Sequence, residues 1–302
     1  MKIIFLGTSG TMPTVTRGLS AVAIIRKGEL ILFDCGEGTQ QRMVKARLGF
    51  GRRMKIFISH LHGDHILGLP GLLETMNLLN RERPLSIYGP KGILSFLSGI
   101  FNILGLPDFP LEVIEITGSG VIYSNSEYRV EAIRADHEGE GWSFALIEYP
   151  RPGHFHPERA KELKIPKGPL WKKLQQGETV VLGGKLFKPE DIVDAPKPGR
   201  KIVYSGDTRP NKALIELAAG ADVLIHEATF DDDLLDRAQR DGHSTASQAA
   251  EIAASAKVVR LFLTHISSRY HSTEPLLEKA KKIFSTTLVA EDFMEVEIPL
   301  KS

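Results

Sequence analysis

Short apolar runs recur along this 302-residue chain, and several of them stop at an aspartate or a histidine. Leu30-Ile31-Leu32-Phe33 runs into Asp34, Lys55-Ile56-Phe57-Ile58 into Ser59-His60, and residues 128–133 lead to Asp136-His137. Lys201-Ile202-Val203-Tyr204 precedes Asp207, Val223-Leu224-Ile225 precedes His226, and Leu261-Phe262-Leu263 precedes His265. Runs this short and this rich in β-branched residues read as buried strands. Helical patterns lie between some of them, over residues 71–80, 244–256 and 274–284, with Ser244 or Thr245 as an N-cap. Strands and helices alternate through both halves, so the class is α/β, with helices outside packed sheets.

The sharpest local signal is Ser59-His60-Leu61-His62-Gly63-Asp64-His65. Four ligand-capable side chains fall within six residues, directly behind an apolar strand. Alternation along a strand lets His60 and His62 point the same way, and Gly63 permits a sharp turn that folds Asp64 and His65 back. Imidazole and carboxylate suit zinc, and two metals can share such a loop. Four ligands do not satisfy two metals. The remainder belong at other strand ends, because loops at one sheet edge converge in α/β folds. His137, Asp207 and His265 stand there. Five histidines and two aspartates suit two zinc ions, with one carboxylate bridging.

Composition bounds the rest. Apolar residues make up 42% and charged residues 25%, which suits a soluble globular chain with a sizeable core. No run of about 18 apolar residues marks a membrane span. Met1 to Gly7 reads as a first strand rather than a signal peptide. Cys35 is the single cysteine, so no intrachain disulfide forms and a reducing, cytoplasmic location is expected. Buried and lone, Cys35 reads as neither nucleophile nor ligand. Net charge is only +1, so a nucleic-acid surface requires local clustering.

Such clustering exists. Residues 151–175 hold seven Lys and Arg against two acids. They lie in a Pro-, Gly-, Lys- and His-rich stretch, 151–199, that interrupts the strand–helix rhythm and reads as an insertion into a single domain spanning 1–302. Lys164, Lys167, Lys172 and Lys173 are its candidate phosphate contacts. His154 and His156 in the same stretch read as solvent-exposed.

His60-x-His62-x-Asp64-His65, followed by a lone His, a Gly-Asp and a lone His, resembles the metallo-β-lactamase superfamily. The resemblance implies a four-layer αββα sandwich with the site at the sheet edge. It puts His60, His62 and His137 on one zinc and Asp64, His65 and His265 on the second, with Asp207 bridging. Further segments resemble ribonuclease Z, the family that processes tRNA 3′ ends: Phe5-Leu6-Gly7-Thr8-Ser9-Gly10, Phe33 to Gln40, His226-Glu227-Ala228-Thr229, His243-Ser244-Thr245 and His265 to Tyr270. The basic stretch ending in Gly168-Pro169-Leu170-Trp171 is similar to that family's flexible arm, which grips tRNA outside the active site. The resemblance covers nearly the whole chain and implies precursor tRNA as substrate and a homodimer. It departs at Thr14-Val15-Thr16-Arg17-Gly18, where a familiar bacterial version has Lys third and Asn last; this bears on cleavage position and CCA handling.

Phosphodiester hydrolysis needs a nucleophile, neutralised phosphoryl charge and a proton for the leaving 3′ oxygen. Two zinc ions meet the first two needs, with Asp64 or Asp207 accepting a proton from the attacking water. A carboxylate paired with an imidazole meets the third, and the resemblance assigns this to Glu227 and His243. Arg269 is a candidate phosphate contact. Two other readings share the ligand set: a phosphodiesterase acting on small esters, which needs no basic stretch, and a non-catalytic RNA-binding relative.

Overall fold

A computed structural model of the chain describes residues 1–301. The N-terminal half carries β1 (Lys2–Gly7), β2 (Ser9–Gly10), β3 (Ala21–Arg26), β4 (Glu29–Phe33), α1 (Thr39–Lys45), β5 (Met54–Phe57), α2 (Gly63–Ile66), α3 (Gly68–Leu78), β6 (Leu85–Gly89), α4 (Ile93–Leu104) and β7 (Leu111–Glu115). Next come β8 (Gly120–Ser124), β9 (Tyr128–Arg134), β10 (Trp142–Glu148), α5 (Pro157–Glu162), α6 (Pro169–Gln175), β11 (Val180–Leu182) and β12 (Lys185–Phe187). The chain closes with β13 (Lys201–Tyr204), α7 (Lys212–Ala218), β14 (Val223–Glu227), α8 (Leu235–Asp241), α9 (Ala246–Ala256), β15 (Leu261–Thr264), β16 (Ile266–Ser267), α10 (Glu274–Ile283), β17 (Thr287–Val289) and β18 (Glu295–Glu297).

Two seven-stranded sheets result, ordered β18-β1-β3-β4-β5-β6-β7 and β17-β15-β14-β13-β10-β9-β8. Strand alternation sorts their side chains into layers. Ile3, Phe5, Ile31 and Phe33 face a central core shared with Phe144, Tyr204, Ile225 and Phe262 of the second sheet. Their neighbours Ile4, Leu6, Leu30 and Leu32 face outward, onto Met43 of α1, Leu69, Leu72 and Met76 of α3 and Leu97 of α4. On the far side, Val203, Leu224 and Leu261 pack against Leu214 of α7, Ala249 and Ala253 of α9 and Leu276 of α10. The αββα order follows from these three apolar layers. Parallel strands buried on both faces explain why their sequences are unbroken apolar runs rather than alternating ones.

Local detail refines the sequence reading. Thr245 caps α9, accepting from Gln248 N–H at 3.3 Å while Gln248 Oε1 accepts from Thr245 N–H at 3.0 Å. The helix read over 71–80 begins three residues earlier, as α3. Residues 151–199 lie between the antiparallel neighbours β10 and β13. They fold α5, α6 and the β11–β12 hairpin around a small core of Ala160, Ile165, Leu174, Val180, Phe187 and Ile192. No helix among the described residues is long and apolar enough to cross a membrane.

Candidate active site

Parallel pairing fixes where the site forms. β4 and β5 run together, as do β13, β14 and β15, so their carboxyl ends meet at one edge of the sandwich. Trp142 N–H donates to Ser59 O at 2.9 Å and Tyr204 Oη donates to Asp34 Oδ2 at 2.6 Å, tying the two sheets together there.

The His60–His65 segment does not converge by the predicted route. β5 ends at Phe57, before His60, so strand alternation does not aim His60 and His62. Gly63 is not a sharp turn either: it opens the one-turn helix α2, which His62 precedes as N-cap. A helical turn is what carries Asp64 and His65 round to the same point. Glycine matters instead at Gly36, where a Cβ would fall 2.4 Å from the Asp64 carbonyl oxygen.

Seven side chains gather. His60 Nε2 and His137 Nε2 lie 3.1 and 3.2 Å from His62 Nδ1. His265 Nε2 is 3.3 Å from His65 Nε2 and 3.2 Å from Asp64 Oδ2. Asp207 Oδ2 sits between the two groups, 3.6 Å from His60 Nε2 and 3.3 Å from both His65 Nε2 and His265 Nε2.

The outward nitrogens show which way the lone pairs point. His65 Nδ1 donates to Asp34 Oδ2 at 2.7 Å, and His137 Nδ1 to Gly242 O at 2.8 Å. Ser59 Oγ gives its proton to Asp34, so it accepts from His60 Nδ1 at 3.0 Å. Thr229 Oγ1 gives its proton to Glu227 Oε2 at 2.7 Å, so it accepts from His265 Nδ1 at 2.8 Å. The Nε2 atoms of these four imidazoles therefore face inward, against carboxylates and one another; burial opposes charge on His65, but Asp207 and Asp34 prevail and raise that imidazole well above its usual range. Burial lowers the His60 imidazole well below its usual range, and His62 is lowered too, so both present lone pairs. Asp207 Oδ1 is buried and accepts no hydrogen bond among the described residues. Lone pairs crowded this closely repel unless a cation lies among them, and ligating imidazoles anchored through the other nitrogen are the usual arrangement around metal. Grouped by distance, His60-His62-His137 and Asp64-His65-His265 form two clusters; Asp207 also joins His60 and His65, and forms a further group with His243 and His265.

Beside the cluster, His243 Nδ1 donates to Glu227 Oε1 at 2.9 Å. Burial alone would lower the imidazole, but the Glu227 carboxylate raises it to about 9. Glu227 is fully buried and further held by the Thr208 and Ser244 N–H groups at 3.1 and 3.0 Å. Phe230 packs edge-on against His243, 5.8 Å between centroids, and exposed Arg269 lies over the Phe230 ring at 4.9 Å. Lys164, Lys167, Lys172 and Lys173 are exposed on the segment between β10 and β13 and pair with no carboxylate among the described residues.

Sequence reasoning missed the supporting residues. Asp34 accepts from Ser59, Tyr204 and His65 and anchors the edge. Thr229 joins His265 to Glu227. Thr11 N–H holds Asp64 Oδ2 at 2.7 Å. The available signals were Asp34 at a strand end and Thr229 within two residues of Glu227. His154 is exposed as read, whereas His156 is only half-exposed and pairs with Asp194 at 2.8 Å. Burial pushes the Cys35 thiol up to about 12, so it supplies no thiolate.

An αββα sandwich with a His and Asp cluster at the carboxyl edge of both sheets defines a metal-dependent hydrolase of the metallo-β-lactamase fold. Residues 192–266 match the beta-lactamase superfamily domain, and residues 1–99 match the family described as anti-Pycsar protein Apyc1. The chain belongs to the ribonuclease Z family. It is 48% identical to the ribonuclease Z of Methanosarcina mazei, covering 100% of this chain and 99% of that one. With the ribonuclease Z of Methanosarcina acetivorans identity is 47%, over 100% and 99%. The solved short form of human tRNase Z aligns with a TM-score of 0.74 at 32% identity, over 99% of this chain and 100% of that chain.

Proposed function

We propose that this chain is a zinc-dependent endoribonuclease that removes the 3′ trailer of precursor tRNA and leaves a 3′-hydroxyl on the tRNA. The observation that carries the reading is the pair of buried Glu227 with part-buried His243, 2.9 Å apart, set against the cluster of Asp64, Asp207 and five histidines at the same sheet edge. Full-length likeness to ribonuclease Z proteins supports the substrate.

His60, His62 and His137 would hold one zinc, Asp64, His65 and His265 the other, with Asp207 between them. Bound there, zinc supplies Lewis acidity: it makes hydroxide available near neutral pH and offsets charge on the phosphoryl oxygens. The chain's own groups do the rest. Asp64 and Asp207, both held well below the usual carboxylate range by neighbouring imidazoles that outweigh burial, stay ionised. Ionised, either accepts a hydrogen bond from the attacking water and orients it, Asp64 having its carboxylate fixed by Thr11 N–H. His243 is protonated at neutral pH because Glu227 holds it so. With Nδ1 committed to Glu227, its other nitrogen is free to give a proton to the leaving 3′ oxygen, and Glu227 steadies the imidazolium throughout. Arg269, poised over Phe230, reaches a phosphate of the bound strand.

Residues 151–199 serve as the exosite for tRNA, with Lys164, Lys167, Lys172 and Lys173 as phosphate contacts. The enzyme works as a cytoplasmic homodimer in this reading. Precursor tRNA compared with an unfolded RNA of the same sequence around the cut tests it. The folded substrate should be cleaved much faster at matched concentration. Equal cleavage of both, or turnover of small phosphodiesters alone, would point to a general phosphodiesterase.

A further inference from the structure

Between Glu37 and Asp64 the chain has no acidic residue, while Arg42, Lys45, Arg47, Arg52, Arg53 and Lys55 all fall there. Part of this segment builds a concavity at the edge of the first sheet opposite the metal cluster. Its volume is about 480 Å³, and Lys27, Gly28, Gly49, Gly51, Arg52, Arg53 and Arg83 line it. No carboxylate is among the lining residues. Among the described residues Arg52, Arg53 and Arg83 form no ion pair, and only Lys27 does, with Glu127.

The floor is open backbone. A Cβ added at Gly28 or Gly51 would meet nothing within 4 Å. Beneath it the loop is fixed from inside. Arg81 is buried, its guanidinium donates to Phe50 O, to Arg52 O at 3.1 Å and to Pro84 O at 2.9 Å, and Phe109 lies under it at 5.6 Å. An arginine spent on three carbonyls fixes the loop that carries half-buried Arg52 and exposed Arg53 beside exposed Arg83. Guanidiniums with no carboxylate partner among the described residues, Arg53 reaching only Lys27 O at 3.5 Å, and with room between them suit phosphate, whose oxygens match the planar fork.

We propose that this hollow binds phosphate groups of the RNA backbone, at a distance from the scissile bond. Naming RNA rests on the function proposed above; the affinity for phosphate does not. Two relations favour RNA over a free phosphorylated molecule. Arg53 and His60 are seven residues apart, so the hollow lies within about 23 Å of the cluster along an extended chain. Lys27 adjoins Arg26, which bonds Glu148 at 2.7 Å at the end of β10, where the basic 151–199 segment departs. The hollow therefore shares an edge with that segment, and one folded RNA can lie across both.

The test uses full-length protein and an Arg52→Ala/Arg83→Ala double variant, with Arg52→Lys/Arg83→Lys as control. Binding of precursor tRNA is measured with metal chelated, across a salt series, and binding of inorganic tripolyphosphate by calorimetry. The alanine variant should bind tRNA roughly tenfold more weakly, with a salt dependence flatter by between one and two released counterions. The lysine variant should keep most of the affinity, and hydrolysis of a small chromogenic phosphodiester should be unchanged in both. Tripolyphosphate binding lost in the alanine variant, with tRNA binding intact, would overturn the RNA assignment and leave a site for a free phosphorylated molecule. Unaltered binding of both probes would overturn the phosphate site. Were the intact protein not to cleave precursor tRNA, the function would fail while the tripolyphosphate result still decided the hollow.

Discussion

Glu227 Oε1 lies 2.9 Å from His243 Nδ1, and the carboxylate raises the imidazole to about 9. His243→Ala should lower the cleavage rate by roughly 10²–10⁴, with tRNA affinity little changed. The acid form is the active one, so wild-type activity attributable to this group persists below pH 9 and falls as pH rises through it. Glu227→Gln removes the charge, so this limb should move down, towards or below the ordinary histidine value of about 6.5. A substrate with a better leaving group should recover much of the His243→Ala loss. A pH–rate profile checks both; a limb that does not move in Glu227→Gln would rule out the relay.

The cluster predicts about two zinc ions per chain, measurable by elemental analysis of protein reconstituted with metal. His62→Ala should weaken one site, and Asp207→Ala both, since Asp207 Oδ2 lies 3.3–3.6 Å from three histidines of the two groups. Near-normal turnover in either variant would show that the assignment is wrong.

Thr229 joins the two halves of the chemistry: its hydroxyl accepts from His265 Nδ1 at 2.8 Å and donates to Glu227 Oε2 at 2.7 Å. Thr229→Val keeps the shape and removes both bonds. Metal affinity should fall roughly 10–100-fold, the usual cost of losing a ligand's anchor, and Thr229→Ser should restore most of it. Competition with a chromogenic chelator reads this directly. Equal affinity in the valine variant would leave Thr229 a packing residue.

Much of this architecture was legible because chain order and chemistry coincide in it. Apolar runs broken by His or Asp mark strands whose carboxyl ends share an edge, β5, β13 and β15 through parallel pairing and β9 through two antiparallel steps by way of β10, so His60, His137, Asp207 and His265 could be named before any coordinates. How they meet was not legible. A glycine at position 63 fits a turn or the start of a helix equally well, and α2 is too short to show periodicity. The anchoring roles of Asp34 and Thr229 were not legible because their partners, Tyr204 and His265, lie 170 and 36 residues away. The hollow around Arg52 and Arg83 was hidden for the same reason. Its cations come from three separate segments: buried Arg81 ties the Arg52 loop to Pro84, and Arg53 reaches Lys27 O at 3.5 Å.

The segment between β10 and β13 can be removed at little cost to the sandwich, because Ile147 and Lys201 are already paired neighbours and the segment has its own small core. Replacing residues 151–196 with a short Gly-Ser linker should leave cleavage of a small chromogenic phosphodiester intact. Processing of precursor tRNA should fall steeply, through weaker binding with a shallower salt slope. Undiminished tRNA processing would show the segment to be a solvated loop.

The most direct measurement incubates the metal-loaded protein with a precursor tRNA bearing a 3′ trailer and maps both new ends. The account predicts one cut at the 3′ side of the tRNA, a 3′-hydroxyl on the tRNA and a 5′-phosphate on the trailer, all abolished by chelation and greatly slowed in His243→Ala. An intact precursor, cuts scattered along the RNA, or cleavage indifferent to metal would contradict it.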